Sequence, residues 1–119
     1  MKYGLILISI YQKEVIDVAN ISRQKITEIG QDIHSGCRYN RRDAIGEIGE
    51  FGLTQFIPQV IDKAKNDNYG IVREKAIVVL GRIGKESTEA KAALEHIVQH
   101  HFHPDEKFLA EKALAQLTT

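Results

Sequence analysis

The sequence predicts an all-α fold, a right-handed superhelix of stacked helical hairpins, and three observations carry that expectation. First, Arg41-Arg42-Asp43-Ala44-Ile45-Gly46-Glu47-Ile48-Gly49-Glu50-Phe51-Gly52 lies over Arg73-Glu74-Lys75-Ala76-Ile77-Val78-Val79-Leu80-Gly81-Arg82-Ile83-Gly84 at a spacing of thirty-two positions. A fixed period of about 20 to 50 residues marks an array in which each helical unit covers its neighbour's apolar face. Second, Leu109 to Leu117 is a weaker third copy, in which Glu111-Lys112-Ala113 repeats Glu74-Lys75-Ala76 thirty-seven positions on. Third, apolar residues recur at three- and four-residue spacing in segments separated by short polar turns, the period of an amphipathic helix.

About seven helices follow in order. An opening helix from about Leu5 to Val18 would cover the exposed end of the stack, as solenoids require. Asn20 and Ser22 are capping residues for a second, roughly Ile21 to His34, with Ile26, Ile29 and Ile33 on one face. Ser35-Gly36 breaks the chain. The helix from about Asn40 to Phe51 aligns Ala44, Ile45, Ile48 and Phe51; its Gly46 and Gly49 cost about 1 kcal/mol each relative to Ala, which predicts close approach of a neighbouring helix. Phe56 to about Asn66 follows, with Pro58 in the first turn, where a missing amide hydrogen is harmless. Asp67-Asn68-Tyr69-Gly70 is a turn. The helix from Val72 to Ile83 is apolar over most of its circumference and is expected in the middle of the stack, buried on several sides. Ser87 or Thr88 caps the next, with Ala90, Ala93, Leu94, Ile97 and Val98 inward, and after His103-Pro104-Asp105 a final helix runs from about Glu106 to Leu117. The chain reads as one domain, 1–119, with capping helices over 1–38 and two and a half clear repeats over 39–119.

Composition narrows function by exclusion. Sixteen basic side chains balance sixteen acidic ones in 119 residues, so no global field draws nucleic acid or anionic lipid. The apolar run at Leu5 to Ile10 is far shorter than the roughly 20 residues that span a bilayer, and no cleavage site follows it, so neither anchor nor signal peptide is expected. Cys37 is the only cysteine; it excludes an internal disulfide, fits a reducing, cytoplasmic setting, and reads as a buried or inert thiol without a base.

Gly52-Leu53-Thr54-Gln55-Phe56-Ile57-Pro58-Gln59-Val60-Ile61 together with Val72 to Gly84 resembles the HEAT repeat, in the variety found in phycobilisome-lyase-like proteins. The resemblance covers about Tyr39 to Leu117. It implies a ladder in which an Asp in the turn and an Arg six residues on form rungs; Asp67 and Arg73 fit. Ser35 stands six before Arg41 and Ala110 where a third Arg would be, so an interrupted ladder is expected. Relatives of this type include chromophore lyases, iron-binding hydroxylases, DNA glycosylases and many interaction scaffolds. The His-Glu pairs of the hydroxylases are replaced here by Glu74-Lys75 and Asp43-Ala44, and the glycosylases' basic aromatic cleft is missing from a neutral chain without Trp.

No catalytic constellation emerges: Glu47 with Glu50, or Glu89 with Glu95, lack the apolar enclosure that would tune them. His96, His100, His101 and His103 cluster, and His96 and His100 share a helical face at a spacing able to grip one divalent ion, but no carboxylate or thiol completes a set, so no metal or other cofactor is expected. The stronger candidate is a concave face lined by second helices. Residues opposite their apolar stripes are Gln55, Gln59, Asp62, Lys63 and Asn66, and, shifted by thirty-seven, Ala92, His96, Gln99, His100 and His103. Such a polar, amide-rich surface suits a protein or peptide partner held by a non-enzymatic scaffold, rather than phosphate. A bilin lyase-like or chaperone subunit working with a second chain is the alternative that the resemblance implies. The last helix has no successor, so Phe108, Leu109, Leu114 or Leu117 would be half covered and open to a second copy of the chain.

Overall fold

The computed structural model describes residues 21–100 and 103–119. The expected opening helix, Asn20, and His101 of the histidine cluster lie outside the described residues. Those described form six α-helices and one 3-10 turn, with no strand among them: α1 (Arg23–Asp32), α2 (Arg38–Phe51), the 3-10 turn Thr54–Phe56, α3 (Ile57–Asn66), α4 (Gly70–Ile83), α5 (Thr88–His100) and α6 (Pro104–Leu117). Hairpins α1/α2, α3/α4 and α5/α6 pack internally. Across them, α2, α4 and α6 lie side by side in one layer, and α3 contacts α5 in the other. This is an α-solenoid of helical hairpins.

Local chemistry sets the boundaries. Ser22 Oγ accepts from the Lys25 amide at 3.1 Å and Ser87 Oγ from the Ala90 amide at 3.0 Å, each satisfying an otherwise orphan donor at a helix start. Gly52 closes α2 at φ 65°, a left-handed conformation that glycine adopts without a Cβ clash. Pro58 lies in the first turn of α3. The last helix begins at Pro104, two residues before the sequence expectation, because proline tolerates the first turn while the extended His103 before it serves as cap.

The core is built on α4. Val72, Ala76, Ile77 and Leu80 are fully buried, enclosed by α2, α3 and α6, and each large side chain contributes about 1.5–3 kcal/mol by leaving water. The expectation that α4 is covered nearly all round is corrected at Ile71 and Val78: Val78 is 48% exposed. Neighbours occupy three sides of α4 and solvent the fourth.

The glycines of the repeat divide into two kinds. A Cβ on Gly49 would stand 2.8 Å from Val79 Cγ2 of α4, and one on Gly81 would stand 2.7 Å from Ala113 Cβ of α6. Both let neighbouring backbones approach, as expected. Gly46 does not: nothing lies within 4 Å of the point a methyl group there would occupy, and it lines an outer cleft with Arg42, Glu50, Lys75 and Arg82.

Candidate partner-binding groove

The turns inside successive hairpins are tied to one another by an arginine ladder whose two rungs are both present where an interrupted ladder was expected. Arg41 Nη1 donates to the Ser35 carbonyl at 2.7 Å, and Arg73 Nη1 to the Asp67 carbonyl at 2.8 Å; in both, the acceptor lies six residues before the arginine. The remaining guanidinium nitrogens grip a carboxylate of the next unit: Arg41 holds Asp67 at 2.8 and 3.0 Å, and Arg73 holds Glu106 at 2.7 and 3.3 Å. The backbone carbonyl of residue 35 suffices for the first rung, so Ser35 needs no carboxylate. Glu106 was invisible to the repeat reading because it is not an equivalent of Asp67. The buried triads Ile57, Val60, Ala64 and Ala90, Ala93, Ile97 are thirty-three positions apart, whereas Ala76 and Ala113 are thirty-seven apart. Most of the extra residues extend α6 by a turn at its start, and Glu106 belongs to that turn.

Burial alone would raise the Asp67 pKa, but the hydrogen bonds from Arg41 and from the Tyr69 amide, together with the Arg41 charge, hold it below the usual carboxylate range. Arg73 is raised by its Glu106 hydrogen bonds against the opposing effect of burial.

The ladder floors one end of a groove between α3 and α5. A cavity of about 720 Å³ is bounded there by Ala64, Lys65, Asn66, Asp67 and Arg73 on one side and by His96, Ile97, Gln99, His100, His103 and Glu106 on the other. A second, of about 850 Å³, continues along the same helices past Pro58 and Ile61 to Glu86, Glu89 and Ala92, sharing Lys65 and His96 with the first. The two make one trough, imidazole-rich at the ladder end, where Lys65 and Arg73 face Asp67 and Glu106, and acidic at the other, where Glu86 and Glu89 lie. His96 and His100 stack with centroids 4.4 Å apart, and His100 Nδ1 lies 3.2 Å from the His96 carbonyl oxygen. Burial, the His100 charge and Lys65 push the His96 pKa below the usual imidazole range. Among the described residues no group of three His, Cys, Asp or Glu side chains is arranged to hold a metal ion.

Of the residues singled out from sequence, His96, Gln99, His100 and His103 line this trough, joined by Asn66 and, at the acidic end, Ala92. Gln55, Gln59, Asp62 and Lys63 do not. At about 3.6 residues per turn, Pro58, Ile61 and Lys65 form the flank of α3 that faces α5, Asp62 stands on the exposed crest, and Gln59 and Lys63 lie on the opposite flank. Side-by-side helices running the same way touch through opposite flanks, so repeat-equivalent residues do not meet, and the shift of thirty-seven belongs to α4 and α6 rather than to α3 and α5. Asp62 instead accepts from Asn66 Nδ2 at 2.9 Å, Lys63 Nζ leans on Asp62 at 4.0 Å, and the buried Gln59 Oε1 has no hydrogen-bond partner among the described residues.

The repeat, the hairpin order and the ladder agree with a match of the sequence model for HEAT repeats to residues 27–115. The chain belongs to the HEAT-repeat family. Neither curated proteins nor solved structures yield a match to it. The HEAT match begins within α1, inside the segment that the sequence assigns to a cap. Among the described residues no helix is long and apolar enough to cross a membrane.

Two surface features escaped the sequence reading. Arg38 lies 5.0 Å from the centre of the Tyr39 ring and 4.7 Å from that of Tyr69, and Arg42 5.4 Å from Tyr39; the signal was an exposed Tyr at the start of both α2 and α4. Cys37, expected as a buried or inert thiol, is exposed at the start of α2, where the amides of Asn40 and Tyr39 lower its pKa. At the C-terminal end, Leu117 is buried, Leu109 and Leu114 are half-buried against the core, and Phe108 stands exposed.

Proposed function

We propose that this HEAT-repeat protein is a non-enzymatic cytoplasmic scaffold or adaptor that holds a protein or peptide partner in the trough between α3 and α5. The carrying observation is the trough itself: two joined cavities, open to solvent, walled by apolar and polar side chains from successive repeats and closed at one end by the ion-pair ladder. Partner contacts are assigned to His96, Gln99, His100 and His103, with Lys65 facing them and Asp62 and Gln55 along the adjoining crest. The whole chain acts as one domain. The test is affinity capture from native lysate, then calorimetry with the purified partner. His96→Glu and Lys65→Glu are expected to weaken binding at least tenfold, about 1.4 kcal/mol, while Gln59→Glu on the far flank leaves it unchanged; a partner insensitive to both trough variants rejects the site.

A second reading, a chromophore-handling subunit of the phycobilisome-lyase-like kind paired with another chain, is favoured by one observation. The ladder-end cavity, about 720 Å³, falls within the roughly 300–1,000 Å³ usual for small-molecule sites. A shift in the absorbance of a linear tetrapyrrole on addition of the purified chain supports it, and an unchanged spectrum removes it.

A further inference from the structure

We infer that the occupant of the ladder end of the trough is an acidic peptide segment, gripped by Lys65 from α3 and by His96, His100 and His103 from α5 and the turn before α6, and gripped more tightly as pH falls. The inference rests on the trough being the partner site and adds the partner's chemistry. Among the described residues, the charged groups lining that end can be named. Two are carboxylates, Asp67 in the turn before α4 and Glu106 on α6, and each is already held by a guanidinium, from Arg41 and Arg73 respectively. Arg73 is committed in turn to Glu106 and to the Asp67 carbonyl. Among the described residues, the polar side chains left to meet a ligand are therefore the Lys65 ammonium, three imidazoles and the Gln99 amide, while the Asn66 amide nitrogen already donates to Asp62. His103 Nε2 is 4.0 Å from Glu106 Oε2, the nearest acid to any of the three rings by ion-pair distance.

Burial and like charge together set the pH sense. Burial first, and then the neighbouring His100 and Lys65 charges, make protonating His96 unfavourable in the free protein; a ligand carboxylate placed beside the ring offsets that cost, so a proton is taken up with the ligand. Binding of acid and of protons are thus linked, and each strengthens the other. Glu86 and Glu89 at the far end of the trough repel the same ligand, so an acidic segment is directed to the ladder end and its continuation past Ile61 and Ala92 is apolar or basic. Phosphate on nucleic acid is a poorer fit, since affinity there grows with the number of cationic contacts and this end offers one Lys.

The test uses the full chain and three fluorescein-labelled hexapeptides, all-Glu, all-Ser and all-Lys, followed by fluorescence anisotropy at low salt and at about pH 7.5 and 5.5, the range in which imidazole titrates. The all-Glu peptide is expected to bind tightest and to gain roughly tenfold at the lower pH through the linked imidazole proton. Lys65→Glu should abolish that binding at both pH values, and the combined His96→Gln, His100→Gln and His103→Gln variant should bind equally at both, with helical circular dichroism unchanged. An all-Lys or all-Ser peptide that binds as tightly and is displaced by the trough variants overturns the acidic occupant but keeps the trough. If no peptide responds to the trough variants, both fall; full competition by millimolar inorganic phosphate also overturns the peptide.

Discussion

The two junctions on either side of α4 perform the same task with different residues. Toward α2, the rung is Arg41 with Asp67, whose side chains are 10% and 2% exposed, and the close contact is Gly49 against Val79. Toward α6, it is Arg73 with Glu106, at 18% and 9%, and the close contact is Gly81 against Ala113. The first rung uses a turn carboxylate at the repeat's own position; the second borrows one from an added helical turn. Geometry, rather than sequence position, is what the stack preserves.

The largest effect is expected at the more buried rung. Asp67→Ala leaves the Arg41 guanidinium enclosed without its counter-charge, which typically costs about 3–5 kcal/mol, measured by urea unfolding. The pH dependence has a definite sign. Because Asp67 is held below its unfolded pKa, its contribution is present above the unfolded value of about 3.9 and is lost as pH falls through the folded value. Wild-type stability should therefore decline as acid is added below about pH 4, and Asp67→Asn should show a shallower decline from a lower starting point. Equal slopes would show that the rung carries no linkage.

Glu106→Ala sharpens the contrast. Arg73 is more exposed than Arg41 and keeps its bond to the Asp67 carbonyl, so partial solvation should limit the loss to about 2 kcal/mol. A cost equal to that of Asp67→Ala would mean that exposure does not separate the rungs.

How much of this was legible follows from what repeats encode. Ala44 over Ala76, and Gly49 over Gly81, state that two helices sit in equivalent environments, and the order of helices and the central place of α4 follow from that alone. A repeat says nothing of contacts between non-equivalent residues. Glu106 was missed because it answers Arg73 from a turn that has no counterpart, and the α3 wall of the trough was misplaced because His96 faces Lys65 and Ile61, not the residues that occupy its own position in the preceding unit. Trough, ladder and ring stacking are all relations between flanks, and a linear comparison of copies compares only like with like.

At the packed glycines the same junctions differ again. An added methyl at Gly81 would meet Ala113 Cα at 2.9 Å, a backbone atom, while at Gly49 the obstruction is the side chain of Val79. Overpacking costs roughly 1–3 kcal/mol and helix propensity returns about 1, so Gly81→Ala, where backbone must move, should lose up to about 2 kcal/mol in the same unfolding assay and Gly49→Ala less. The reverse order would place the tighter junction on the α2 side.

The smallest effect has the opposite sign. Gly46 is the repeat equivalent of Val78, and both lie on the solvent side of their helices, Val78 at 48% exposure and Gly46 with nothing within 4 Å of a would-be Cβ. No neighbour needs the gap, so Gly46→Ala removes backbone freedom from the unfolded chain without a clash and should stabilise by about 0.5–1 kcal/mol, read as a higher urea midpoint at unchanged slope. A destabilised Gly46→Ala protein would mean that the outer cleft over α2, bordered by Arg42, Glu50, Lys75 and Arg82, closes in solution and that the two junctions are packed alike on both faces.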